Sequence, residues 1–202
     1  MQIRNLLIAA ALTLPLVFAA DLPKAPSGKG WVKIFDGKSL NGWKAVENEG
    51  SWSVKDGNLV GDGERSHLFY TVKQCKNCEF YAEVKLNHEG NSGMYFRAKM
   101  EKGFPPGYES QVENTSRDPR KTGSLYKFSD VKEQLIQDDT WWAQHIIADG
   151  THIITKVNGK TVVDFVDEKN TYSEGYLALQ QHNKGSIVTY RKLMMREIPA
   201  KK

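Results

Sequence analysis

Gly90-Asn91-Ser92-Gly93-Met94-Tyr95-Phe96-Arg97 is the stretch whose reading decides the fold. Gly90-Asn91 and Ser92-Gly93 are strong backbone punctuators and predict a turn. The run that follows alternates, with Met94 and Phe96 pointing one way and Tyr95 and Arg97 the other. One face is apolar and suits a core. The opposite face carries a phenol and a guanidinium, which suits a polar ligand. A lone strand of this kind is equally consistent with a solvated outer face, so the weight falls on whether other strands repeat the pattern.

Two others do. Tyr108, Ser110 and Val112 alternate with Glu109, Gln111 and Glu113, and the run 175–182 ends with Gln180 and His182 on alternate positions. Further out, Phe80, Ala82, Val84 and Leu86 alternate with Tyr81, Glu83 and Lys85. Strands are also expected over 31–35, 52–54, 58–60, 68–70, 142–148, 152–157, 161–166 and 186–194. Asp56-Gly57, Asp149-Gly150 and Asn158-Gly159 supply hairpin turns. The polar, aperiodic stretch 114–126 reads as a long loop over one edge or mouth of the sheet. Residues 130–139 are the place for a short helix. Many short alternating strands with Gly-rich turns predict an all-β fold, an antiparallel β-sandwich of the jelly-roll kind.

The chain of 202 residues is long enough for one domain with a substantial core. Its net charge of +4 is too mild to argue for nucleic acid, and no basic run is interleaved with aromatics. Residues 1–20 read as a signal peptide: Arg4 gives a positive start, an apolar run follows, and Ala19-Ala20 offers small residues for cleavage. The run is too short to be a good membrane anchor. The remaining 21–202 is then a single domain, exported to a periplasm or secreted. Cys75 and Cys78 are the only cysteines. In an oxidising compartment they predict a short structural disulfide at a strand entrance. Two thiols alone make no zinc site.

The three ligand-type strands predict a polar groove on one face of a sheet. Tyr, Gln, Arg and Glu side chains match a carbohydrate, whose many hydroxyls need oriented donors and acceptors. Tyr95, Gln111, Gln180 and Tyr126 are the candidates to bind it. His67, His88, His145 and His152 lack such company and take no role.

Several motifs in order carry a resemblance. They are Phe35-Asp36-Gly37-Lys38 with Leu40-Asn41-Gly42-Trp43, then residues 90–97, then Gly107-Tyr108-Glu109-Ser110-Gln111. Thr122-Gly123-Ser124-Leu125-Tyr126 follows, and last Leu179-Gln180-Gln181-His182 with Tyr190-Arg191. From about residue 30 to about 196 the chain resembles the 3-keto-disaccharide hydrolase domain family. The resemblance implies a concanavalin A-like jelly roll acting on glycosides already oxidised at carbon 3. The sequence departs from the family at Trp142-Ala143, where Trp-Asn is often found, so the amide is missing here.

A ketone at carbon 3 acidifies the proton on carbon 2, and the group on carbon 1 can then leave by elimination. Water adding across the double bond completes a net hydrolysis. Such a route needs a base near carbon 2, a donor or cation at the enolate oxygen and help for the leaving oxygen. His182 or Glu109 are the expected base and acid, and Arg97 the expected group at the enolate. A divalent metal is the alternative to Arg97, with Glu109, Gln111 and His182 as ligands; no other cofactor is called for. Two other functions stay open. Glu109-Ser110-Gln111-Val112-Glu113 resembles the Glu-x-Asp-x-Glu strand of laminarinase-like enzymes, whose carboxylate pair would be Glu109 and Glu113, although Gln111 replaces the central carboxylate. A non-catalytic carbohydrate-binding module would use the same groove without titrating groups.

Overall fold

Alternating apolar residues become thirteen strands in the computed structural model, which describes residues 22–199. The leader expected over residues 1–20 lies outside them. In chain order the strands are β1 (Val32–Lys33), β2 (Trp43–Ala45), β3 (Trp52–Lys55), β4 (Asn58–Asp62), β5 (Ser66–Cys75), β6 (Cys78–Leu86) and β7 (Asn91–Ala98). They continue as β8 (Tyr108–Glu113), β9 (Trp142–Asp149), β10 (His152–Val157), β11 (Lys160–Val166), β12 (Gly175–Gln181) and β13 (Ile187–Glu197).

Two antiparallel sheets stack into a concanavalin A-like jelly roll. The larger, of eight strands, runs β11-β10-β9-β6-β13-β4-β3, with β1 also on β13; the smaller, of five, runs β2-β5-β12-β7-β8. Inward residues of both sheets meet in one core. Phe80, Val84 and Leu86 from β6, Met94 and Phe96 from β7, and Leu177 and Leu179 from β12 are fully buried there. Each such side chain contributes about 1.5–3 kcal/mol by leaving water. Cys75 and Cys78 form a disulfide that ties the end of β5 to the start of β6 across 5.6 Å between Cα atoms.

The structure corrects three expectations. Residues 130–139 form turns and bends, not a helix; among the described residues the one helical turn is a short 3-10 segment, Glu49–Ser51. The strand expected over 31–35 shrinks to Val32–Lys33, because only those two residues pair with β13, at Met194 and Met195. Ser92-Gly93 is strand, not turn, since β7 starts at Asn91 and Gly93 lies opposite Gln111 of β8.

Residues 114–128 do form a long loop, and it doubles back along β8. Gln111 N donates to Ser124 O and Gly123 N donates back to Gln111 O, both at 2.9 Å. Thr122 N reaches Glu113 O at 2.7 Å, and Tyr126 N reaches Glu109 O at 2.9 Å. The loop thus stands as a wall beside the outer face of the five-stranded sheet. The loop 99–107, closed by Lys99 N donating to Pro106 O at 2.8 Å, forms a second wall. Between them every residue of β7 and β8 is buried, polar ones included.

Candidate active site

The two walls and the sheet enclose a cavity of about 690 Å³. Strand periodicity sets its floor. Residues of β7, β8 and β12 that do not face the core project into it: Tyr95, Glu109, Gln111 and Gln180, with His182 just past the end of β12. Tyr126 comes from the loop wall. The structure therefore brings together six of the seven residues singled out from the sequence.

At the centre is Glu109. Its Oε2 accepts the phenol proton of Tyr95 at 2.9 Å, and Tyr95 in turn accepts from Gln180 Nε2 at 3.1 Å. Burial raises the Glu109 pKa to about 8; the Tyr95 hydrogen bond and Lys127 pull it down, and Asp118 adds to the rise. Burial, with the neighbouring Glu109 charge, also pushes the Tyr95 phenol up. At neutral pH Glu109 therefore holds its proton in the free site, while Tyr95 acts as a fixed donor and acceptor.

Gly93 makes room for that carboxyl. A Cβ at this position would stand 2.1 Å from Glu109 Oε1, so glycine is required by close approach rather than by a turn. Gly93→Ala is expected to push Glu109 off its position and destabilise the protein by about 1–3 kcal/mol. An unchanged thermal midpoint, with the Glu109 carboxyl titrating as before by NMR, would disprove this.

Arg97 is the member that stays out. Tyr176 pairs with Ala98 and Ala178 with Tyr95, so β7 spends one residue more than β12 between the same pairs. That extra residue is a β-bulge, and Arg97 takes a positive φ of 50° within it. Alternation is broken there: Ala98, not Arg97, shares the face of Tyr95 and Ala178. The guanidinium instead donates to the carbonyls of Lys76 at 2.8 Å, Tyr172 at 3.1 Å and Gly150 at 2.8 Å, and lies 5.9 Å over the Tyr108 ring. This corrects the expectation of Arg97 at an enolate, because every edge of its fork is committed to the backbone.

Glu113 also points elsewhere. It is fully buried, pairs with Lys121 at 2.9 Å and does not line the cavity. Four residues along a strand separate it from Glu109 by roughly 13 Å, beyond the spacing of a carboxylate pair on one glycosidic bond. As to metal, no group of three or more His, Cys, Asp or Glu able to hold an ion occurs among the described residues. Ala143, the departure at the start of β9, lies on the larger sheet and does not line the cavity.

Sequence reasoning missed several cavity residues. Lys127 and Asp118 bring opposite charges from the loop wall, and Phe104 stands on the other wall with half its surface exposed, 5.5 Å from the His182 ring. Asn91 contributes a buried Oδ1 with no hydrogen-bond partner. His67, read as without a role, lies beside Gln180 on the same face of the sheet, its ring edge-on to Tyr95 at 5.0 Å. The signal for Lys127 was its place next to Tyr126. For His67 there was none, because β5 and β12 are neighbours only in the fold.

The arrangement offers one titrating carboxyl near neutrality, an imidazole, a cation and several oriented amides around a sugar-sized space. Over 82 residues the chain is 32% identical to the 3-keto-disaccharide hydrolase of Bacteroides thetaiotaomicron; the match covers 35% of this chain and 28% of that protein. A solved Parabacteroides distasonis protein, provisionally assigned as a glycosyl hydrolase, superposes with a TM-score of 0.72 at 20% identity, covering 84% of this chain and 94% of its own. A carbohydrate-binding module from Bacillus subtilis reaches a TM-score of 0.62 at 14% identity, covering 77% and 96%. At those identities the two structures establish the fold alone. Residues 30–196 match the 3-keto-alpha-glucoside-1,2-lyase-like domain, nearly the whole described chain, and the protein belongs to that family.

Proposed function

We propose that this protein is an exported enzyme that cleaves 3-keto-glycosides, 3-keto-disaccharides included, by elimination across carbons 1 and 2 followed by hydration. The observation that carries the reading is Glu109, a buried carboxyl whose pKa is raised to about 8, held by Tyr95 on the floor of a polar cavity. An acid–base group is most effective when its pKa lies near the working pH.

The His182 imidazole takes the proton from carbon 2, and the freed electron pair spreads onto the ketone oxygen as an enolate. Lys127, the ammonium lining the cavity, balances that charge in place of Arg97. The enolate then collapses, the bond from carbon 1 to the glycosidic oxygen breaks, and protonated Glu109 gives its proton to the departing oxygen. Water adds hydroxyl to carbon 1 and a proton to carbon 2 of the resulting enone. The sum is hydrolysis.

The substrate test separates this from its rivals. The enzyme is expected to turn over methyl 3-keto-glucoside and to leave methyl glucoside intact, because an unactivated carbon–hydrogen bond is far too weak an acid. Each pKa unit of mismatch costs about 1.4 kcal/mol. In heavy water, deuterium should appear at carbon 2 of the released keto-sugar. Equal cleavage of the unoxidised glycoside with no label would mark a carboxylate-pair hydrolase; no product from either would mark a binding module. Export is checked separately, by intact mass of natively produced protein. Removal of about the first 20 residues is expected, and their retention would rule it out.

A further inference from the structure

The buried group that the chemistry above leaves unused is His67. It has no exposure and sits in β5 directly opposite Gln180 of β12. Gln180 is 1% exposed, and its Nε2 lies 3.3 Å from His67 Nε2 and 3.1 Å from the Tyr95 phenol oxygen. An amide nitrogen has two protons. The Tyr95 phenol spends its own proton on Glu109, so its oxygen accepts one from Gln180, and with the ring proton on Nδ1 the His67 Nε2 lone pair accepts the other. Both amide protons are then used inward. The amide oxygen, Gln180 Oε1, is left buried with no partner in the cavity lining. Burial of this kind costs about 1–3 kcal/mol unless a donor arrives.

We infer that His67 is a positioning residue: it fixes the orientation of the Gln180 amide so that Oε1 accepts a hydroxyl of the bound sugar. Asn91 Oδ1, also buried and unpartnered, makes a second acceptor on the same floor. These two acceptors take hydroxyl-bearing carbons, because a ketone oxygen has no proton to give them. Burial outweighs the pull of Glu47 and holds the His67 pKa at about 4, so the imidazole is neutral at neutral pH, and the tautomer with its proton on Nδ1 leaves the Nε2 lone pair facing the amide. A protonated ring would face the amide with a proton and reverse it.

This inference rests on the sugar-cavity reading, and its test does not require catalysis. Affinity for methyl glucoside, which keeps the hydroxyls and lacks the ketone, is measured by calorimetry or NMR titration on wild type, His67→Phe and His67→Gln. Gln keeps an oxygen acceptor near the place of Nε2; Phe keeps a ring and removes the acceptor. The expected result is binding about tenfold weaker in His67→Phe, the loss of one hydrogen bond, with His67→Gln within about threefold of wild type. On methyl 3-keto-glucoside the loss should fall on KM, with kcat within about threefold. Wild-type affinity in a folded His67→Phe overturns the inference, as does failure of the wild type to bind methyl glucoside. A drop in thermal midpoint shared by both variants, with affinities equal to each other, also overturns it and leaves His67 as packing alone. Sugar binding that follows this order without turnover of any keto-glycoside would sink the proposed reaction and leave the positioning role standing.

Discussion

Glu109→Gln is expected to lower kcat/KM on a 3-keto-glycoside by about 10²- to 10⁴-fold, the range for a lost general acid–base group. Gln keeps the shape and can still accept the Tyr95 proton, so the loss would belong to proton transfer rather than to a collapsed site. The pH profile gives a second reading. A group that works as an acid with a pKa of about 8 makes activity fall as pH rises through that value, and the falling limb should vanish from the residual activity of the variant. Stability should also fall with rising pH. A carboxyl raised from its ordinary value near 4.5 favours folding while protonated, and that advantage is lost as pH climbs from about 4.5 to about 8. Glu109→Gln should therefore gain on the wild type across this window, by at most about 1.4 kcal/mol per pH unit. Equal melting curves at pH 5 and pH 9 would show that the carboxyl is not buried in an unfavourable setting.

The second large effect is on stability. Arg97→Met strands three backbone carbonyls, those of Lys76, Tyr172 and Gly150, in a region where the guanidinium is 2% exposed. Leaving buried acceptors unpaired costs about 1–3 kcal/mol each, so a total loss of at least about 3 kcal/mol is expected. For a domain of this size that is roughly a 6–12 °C lower midpoint. Turnover per folded molecule should stay within about threefold, because Arg97 does not line the cavity. A variant that melts like wild type but has lost activity would restore Arg97 to the reaction.

Arg97 also shows where sequence reading reaches its limit. Period-two alternation placed Tyr95, Glu109, Gln111, Gln180 and His182 together without knowledge of the fold, because strand geometry leaves no other choice of face. It failed at the one residue beside a bulge, since a bulge is decided by the register of the neighbouring strand. Gly93 was misread for a related reason: glycine marks both turns and close approaches, and only the position of Glu109 across the strand pair tells them apart. His67 was invisible because its partner Gln180 is 113 residues away. The loop wall was legible as a long loop, but not as the source of Lys127 and Asp118, whose inward aim depends on backbone bonds to β8.

Those backbone bonds have a consequence for solubility. β8 ends the five-stranded sheet, and an open strand edge is a template on which another chain can pair and aggregate. Here Leu125 bridges to Ser110, and Ser124, Gly123 and Tyr126 meet the remaining backbone groups of 109–111, so that edge is occupied from within. The same few residues hold Tyr126 and Lys127 at the cavity. Insertions that reshape this wall would also unseal the sheet, and a remodelled cavity should come with a cost in colloidal stability.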